Sequence, residues 1–91
     1  MSVGIYFEDS KFTPAQYDQA IVKLEEAGAG SPNGRLHHVA MENDGQINVF
    51  DIWESQESFD AFGATLMPIL QGLGADPGRP VTAPVRNEIK G

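Results

Sequence analysis

The sequence predicts an α+β domain: a four-stranded antiparallel sheet with two helices on one of its faces, in the order strand, helix, strand, strand, helix, strand. Three observations carry this. Short runs rich in β-branched and aromatic residues begin at Val3, Leu36, Gln46 and Val81. Two stretches opening at Thr13 and Ser55 carry apolar residues at helical spacing. An Asn43–Asp44–Gly45 turn signal joins the two middle runs directly.

Val3–Gly4–Ile5–Tyr6–Phe7 is apolar on both alternate faces, as suits a central strand, and Glu8, Asp9 and Ser10 stop it. The first helix is signalled in detail. Thr13 is the N-cap, Pro14 takes the first helical position where its missing N–H costs nothing, and Gln16 completes a capping box. Phe12 and Tyr17 occupy the two positions of a hydrophobic staple. Tyr17, Ala20, Ile21, Leu24 and Ala27 then form one apolar stripe, and Gly28 or Gly30 ends it. Residues 29–34 are a loop by composition.

Leu36–Glu42 and Gln46–Glu54 form a hairpin with two open registers. A two-residue type I′ turn at Asp44–Gly45 pairs Asn43 with Gln46 and puts His38 opposite Asp51 on the same face. A three-residue loop puts His37 there instead. Asp51 is the polar exception in this apolar strand, and a buried carboxylate is costly unless paired. Ser55 caps the second helix, whose stripe is Phe59, Phe62, Leu66, Ile69 or Leu70, and Leu73. Pro68 is expected to kink or divide it, and Gly72 and Gly74 end it. In the last strand Val81, Ala83, Val85 and Ile89 alternate with Thr82, Arg86, Glu88 and Lys90, and Pro84 marks a sheet edge.

With right-handed crossovers this order gives the split βαβ, or ferredoxin-like, arrangement. The first and third strands are central and the last is at an edge. Phe50 and Ile52 are expected to face the helices, and Ile47, Val49, Asp51 and Trp53 the uncovered side. An apolar face of that size is an association site, so a homodimer is expected.

Composition agrees. Residues 1–91 read as one domain, which buries only about 60–65% of its unfolded surface. With no cysteine, neither disulfides nor a thiolate metal site supplements that core, and oligomerisation is the remaining remedy. The net charge of −7 argues against nucleic acid and membrane surfaces, which need clustered Lys and Arg. Met1–Ser2–Val3–Gly4 has no signal-peptide pattern, and no apolar stretch approaches the ~20 residues that span a bilayer. A cytoplasmic protein is the expectation.

The element order, together with Val49–Phe50–Asp51–Ile52–Trp53–Glu54–Ser55 and the following Phe59 and Phe62, resembles the dimeric α/β-barrel proteins of the antibiotic-biosynthesis-monooxygenase (ABM) type. The resemblance covers nearly the whole chain and identifies a superfamily rather than an activity. It implies two sheets facing each other in a homodimer, with a cavity within the barrel or between sheet and helices. Members include cofactor-free monooxygenases of polycyclic aromatics, haem-degrading monooxygenases, cyclases, isomerases and proteins of no known activity. The haem-degrading branch needs a histidine on or near the second helix, and Ser55–Leu73 has none. No cofactor is therefore expected. Nor is a metal, because the adjacent His37 and His38 point to opposite faces. Gly72–Leu73–Gly74 is a helix stop, not a dinucleotide fingerprint.

His38 with Asp51 is the sharpest catalytic candidate. A carboxylate fixes an imidazole's tautomer and raises its basicity, making a general base that can deprotonate a phenol. The resulting electron-rich anion can react with oxygen without a cofactor. The competing reading is a structural cross-strand pair. Tyr6, Trp53, Phe59, Phe62 and Leu66 are candidates for the ligand pocket, each also readable as plain packing. Two functions follow: a cofactor-independent monooxygenase or related enzyme acting on an aromatic or polyketide-like compound, or a non-catalytic dimeric binding or interaction protein. A cyclase or isomerase would need the same base and no oxygen.

Overall fold

A computed structural model describes all residues 1–91. Its elements are β1 (Val3–Glu8), α1 (Pro14–Glu26), β2 (Arg35–Asn43), β3 (Gln46–Trp53), α2 (Gln56–Leu73) and β4 (Arg79–Pro84). The sheet is fully antiparallel in the order β2-β3-β1-β4, which is the ferredoxin-like βαββαβ topology.

Local chemistry sets the helix starts. The Thr13 N–H donates to Gln16 Oε1 and the Gln16 N–H to Thr13 Oγ1, both at 3.1 Å, closing the capping box. The Phe12 and Tyr17 rings meet edge-on, 5.9 Å between centroids, as the staple requires. Ser55 Oγ accepts from the Ser58 N–H at 3.1 Å and opens α2. That helix runs undivided through Pro68 to Gly74, whose left-handed φ of 65° caps it. Asp44 (φ 53°) and Gly45 (φ 75°) form the two-residue turn, so Asn43 pairs with Gln46 and His38 with Asp51.

The core lies between the sheet and the helices, in two adjoining clusters. Ile5, Leu24, Trp53 and Phe62 make one, and Phe12, Ala20, Ile47 and Leu70 the other. This reverses the expected facing of β3. Ile47, Val49, Asp51 and Trp53 point toward the helices, with Trp53 at 0% and Asp51 at 4% exposure. Phe50, at 39% exposure, lies on the uncovered face with Val39 and Tyr6, its partners on the neighbouring strands. The inward set carries one polar residue, Asp51, and the outward set carries two, Gln46 and Asn48, beside Phe50 and Ile52. Asp51 sits on the inner face because its carboxylate is paired there.

The last strand stops at Pro84 rather than continuing toward Lys90. Its partner β1 begins at Val3, so beyond the Val85 N–H bond to Ser2 O (2.9 Å) no strand remains to pair with. The chain then turns over the open face, and Glu88 reaches His37 on the far edge strand.

Candidate functional site

The hairpin register places His38 against Asp51, and the side chains meet: His38 Nδ1 is 2.6 Å from Asp51 Oδ1. The second carboxylate oxygen accepts from the Trp53 indole N–H at 3.2 Å. An ionised carboxylate only accepts, which assigns the His38 proton to Nδ1 and leaves a lone pair on Nε2. The Tyr17 hydroxyl donates to that lone pair at 2.7 Å, with the two rings parallel within 3°. Four side chains from α1, β2 and β3 thus form one chain, Tyr17–His38–Asp51–Trp53. No buried side-chain nitrogen or oxygen in the protein lacks a partner.

This chain ends in an apolar cavity between the sheet and the helices. Fifteen residues line it, among them Tyr17, Arg35, His38, Asp51, Phe59 and Phe62. Its free volume is about 50 Å³, room for a few waters. A wider cleft of about 550 Å³ adjoins it and shares Phe7, Phe59, Leu66 and Pro77 as walls. Burial raises the Tyr17 pKa above its ordinary 10.0, since the phenolate loses hydration; Arg35 opposes the shift, while Asp51 and Asp18 reinforce it.

Of the residues singled out in the sequence, the structure brings His38, Asp51, Phe59, Phe62 and Leu66 to this cavity. It does not bring Tyr6, which sits on the open face of β1 at 46% exposure, its hydroxyl toward Glu8. Trp53 is beneath the cavity rather than on its wall: fully buried, packed against Phe59 and Phe62, and bonded to Asp51. Tyr17 was read only as a staple and stripe residue. The available signal was its hydroxyl on a helix stripe that must be buried, where it needs a partner. Arg35 was also missed.

No protein-family model matches the chain, and no curated protein matches it. Solved structures do. A provisionally named antibiotic biosynthesis monooxygenase from Chloroflexus aurantiacus J-10-fl aligns over 100% of both chains at 24% identity, TM-score 0.63. A mutant of SnoaB, a cofactor-independent oxygenase from Streptomyces nogalater, aligns over 97% of this chain and 96% of its own at 15% identity, TM-score 0.66. A Streptomyces coelicolor monooxygenase in complex with the ligand nanaomycin D aligns over 99% of this chain and 90% of its own at 17% identity, TM-score 0.57. Likeness at these identities is likeness of fold, and it establishes that this chain has the ferredoxin-like fold of the ABM-type structures.

Proposed function

We propose that this protein is a small-molecule enzyme of the cofactor-independent monooxygenase kind, acting on a hydroxyaromatic or polyketide-like compound. The observation that carries the reading is the partly buried Tyr17–His38–Asp51 chain ending in an apolar cavity. His38 is the base and Asp51 orients it and stabilises its charged form. The fold likeness to an oxygenase and to a monooxygenase seen with a small-molecule ligand supports it.

In this scheme a substrate phenol displaces the Tyr17 hydroxyl and passes its proton to His38 Nε2. The phenolate delocalises charge onto the ring C–H carbon para to the oxygen, and that carbon gives its electron pair to O₂ and forms a C–O bond, leaving a peroxide oxygen that takes the proton back from His38. The hydroperoxide then loses water with the C–H hydrogen, so that one C–OH and one C–H plus O₂ become two C=O groups plus H₂O. A fused-ring substrate exceeds the inner cavity, since pockets for such ligands run to about 300–1,000 Å³. Its body therefore rests in the outer cleft, and only its hydroxylated edge passes Phe7 and Phe59. The protein acts as a homodimer through the open sheet face, which exposes Tyr6, Val39, Met41 and Phe50.

One observation favours a second reading, a non-catalytic binding protein: the polar chain is complete without a ligand. Oxygen uptake and thermal stabilisation with a panel of fused-ring hydroxyaromatics, on wild type and His38→Gln, separate the two. The enzyme reading expects stabilisation of wild type, by RT ln(1 + [L]/Kd), and oxygen uptake that His38→Gln abolishes. Stabilisation without uptake establishes the binding protein. Uptake unchanged in His38→Gln removes His38 as the base, and no stabilisation by any compound sinks both readings.

A further inference from the structure

The Arg35 side chain should not reach the cavity in a regular β2. Counting back by twos from His38, residue 35 falls on the open face with His37 and Val39. The ladder instead slips between Arg35 and His37: His37 pairs with Ile52, and Arg35 pairs with Trp53. Leu36 is the extra residue of this β-bulge and stands half exposed. The bulge turns Arg35 to the face that Trp53 occupies, where its guanidinium lies 5.9 Å over the Phe62 ring and lines the cavity. Re-aiming one side chain is what bulges beside functional sites do.

Of the chain's six Lys and Arg residues, Arg35 is the one that lines this cavity. It makes one side-chain hydrogen bond, from Nη2 to Gly30 O at 3.1 Å, so most of its five donors remain available. In a protein of net charge −7 a local cation offsets the repulsion that an anionic ligand meets.

We infer that the cavity holds its ligand as a phenolate, and that Arg35, turned inward by the bulge at Leu36, is the group that binds and stabilises the ligand's oxyanion. This rests on the reading of the cavity as a substrate site. The phenol proton goes to His38 Nε2. Tyr17, released from that nitrogen, donates its own O–H to the new oxyanion beside the guanidinium. The ionisable groups facing this point are Tyr17 from α1, Arg35 and His38 from β2 and Asp51 from β3; α2 contributes none. The Asp51 charge opposes an anion, but both its oxygens are already taken by His38 and Trp53, behind the imidazole.

The test uses para-nitrophenol, whose phenolate absorbs visible light and whose phenol does not. The bound probe is titrated by absorbance on wild type, Arg35→Gln and Arg35→Lys. An adjacent opposite charge lowers a pKa by about 1–3 units, so Arg35→Gln should cut the bound phenolate-to-phenol ratio about 10- to 1,000-fold at fixed pH. Arg35→Lys should restore part of it. A purely structural Arg35, clamping Gly30 and Phe62, would lower the melting temperature and leave the bound spectrum unchanged, which overturns the inference and leaves the proposed function standing. Failure of the probe to bind wild type overturns both.

Discussion

Asp51→Asn is the substitution that most directly tests the polar chain. The carboxylate accepts two buried N–H donors, His38 Nδ1 at 2.6 Å and Trp53 Nε1 at 3.2 Å. Asparagine matches its shape but offers one oxygen and one NH₂. If the oxygen keeps Trp53, the NH₂ faces His38 Nδ1, and two donors then oppose each other. The imidazole escapes by moving its proton to Nε2, which removes the lone pair that Tyr17 now occupies. Exchanging a charge-assisted bond of about 1.5–3 kcal/mol for a neutral one of about 0.5–1.5 costs about 1–2 kcal/mol. At about 4–8 °C per kcal/mol for a domain of this size, the melting temperature should fall by about 4–16 °C. Asp51→Ala leaves both donors unpaired at about 1–3 kcal/mol each, for a total of about 2–6 kcal/mol. That is comparable with the whole stability of such a domain, about 5–14 kcal/mol. The assay pairs thermal unfolding with ¹⁵N NMR of the imidazole. Wild type should show the Nδ1–H tautomer and Asp51→Asn the Nε2–H tautomer. An unchanged tautomer with an unchanged melting temperature would refute the reasoning and reduce Asp51 to an incidental neighbour of His38.

Tyr17→Phe should change the alkaline limb of stability. The unfolded chain releases this proton near 10.0 and the folded chain later, so the Tyr17 contribution is intact below 10.0 and is lost as pH rises through the folded value. Denaturant titrations across that range should show a shallower decline in the variant; parallel curves would contradict the buried placement. Gly78→Ala should cost several kcal/mol, because its Cβ would lie 2.0 Å from Glu8 O at a φ of +93°. A urea midpoint near that of wild type would show that this loop does not pack on β1 as described. Phe50→Glu places a charge in the centre of the open face and should convert the proposed dimer to a monomer in light scattering, with the cavity intact. A variant that stays dimeric would put the interface elsewhere.

The parts of this protein legible in its sequence are those whose signals act over a few residues. The Thr13–Gln16 capping box, the Phe12–Tyr17 staple, the Ser55 cap, the Gly74 stop and the Asp44–Gly45 turn are each set by neighbours in the chain. The turn did more than close a hairpin. By setting the register it brought His38 to Asp51, so one pair of the candidate site was readable from a dipeptide several residues away. The element order then limited the topology to the observed sheet.

Three features were decided by tertiary structure alone. Which side of β3 faces the helices turns on whether Asp51 finds partners there: alternation sets Asp51 against Gln46 and Asn48 on the two faces, and says nothing of whether the carboxylate is paired. Asp51 is inside because His38 and Trp53 meet both its oxygens, and only packing brings those donors to it. Tyr17 joins the chain because α1 crosses the sheet above His38, a contact across 21 positions that no local pattern encodes. Arg35 enters the cavity through a bulge, and a single unpaired residue leaves no mark in the alternation until the ladder around it is formed.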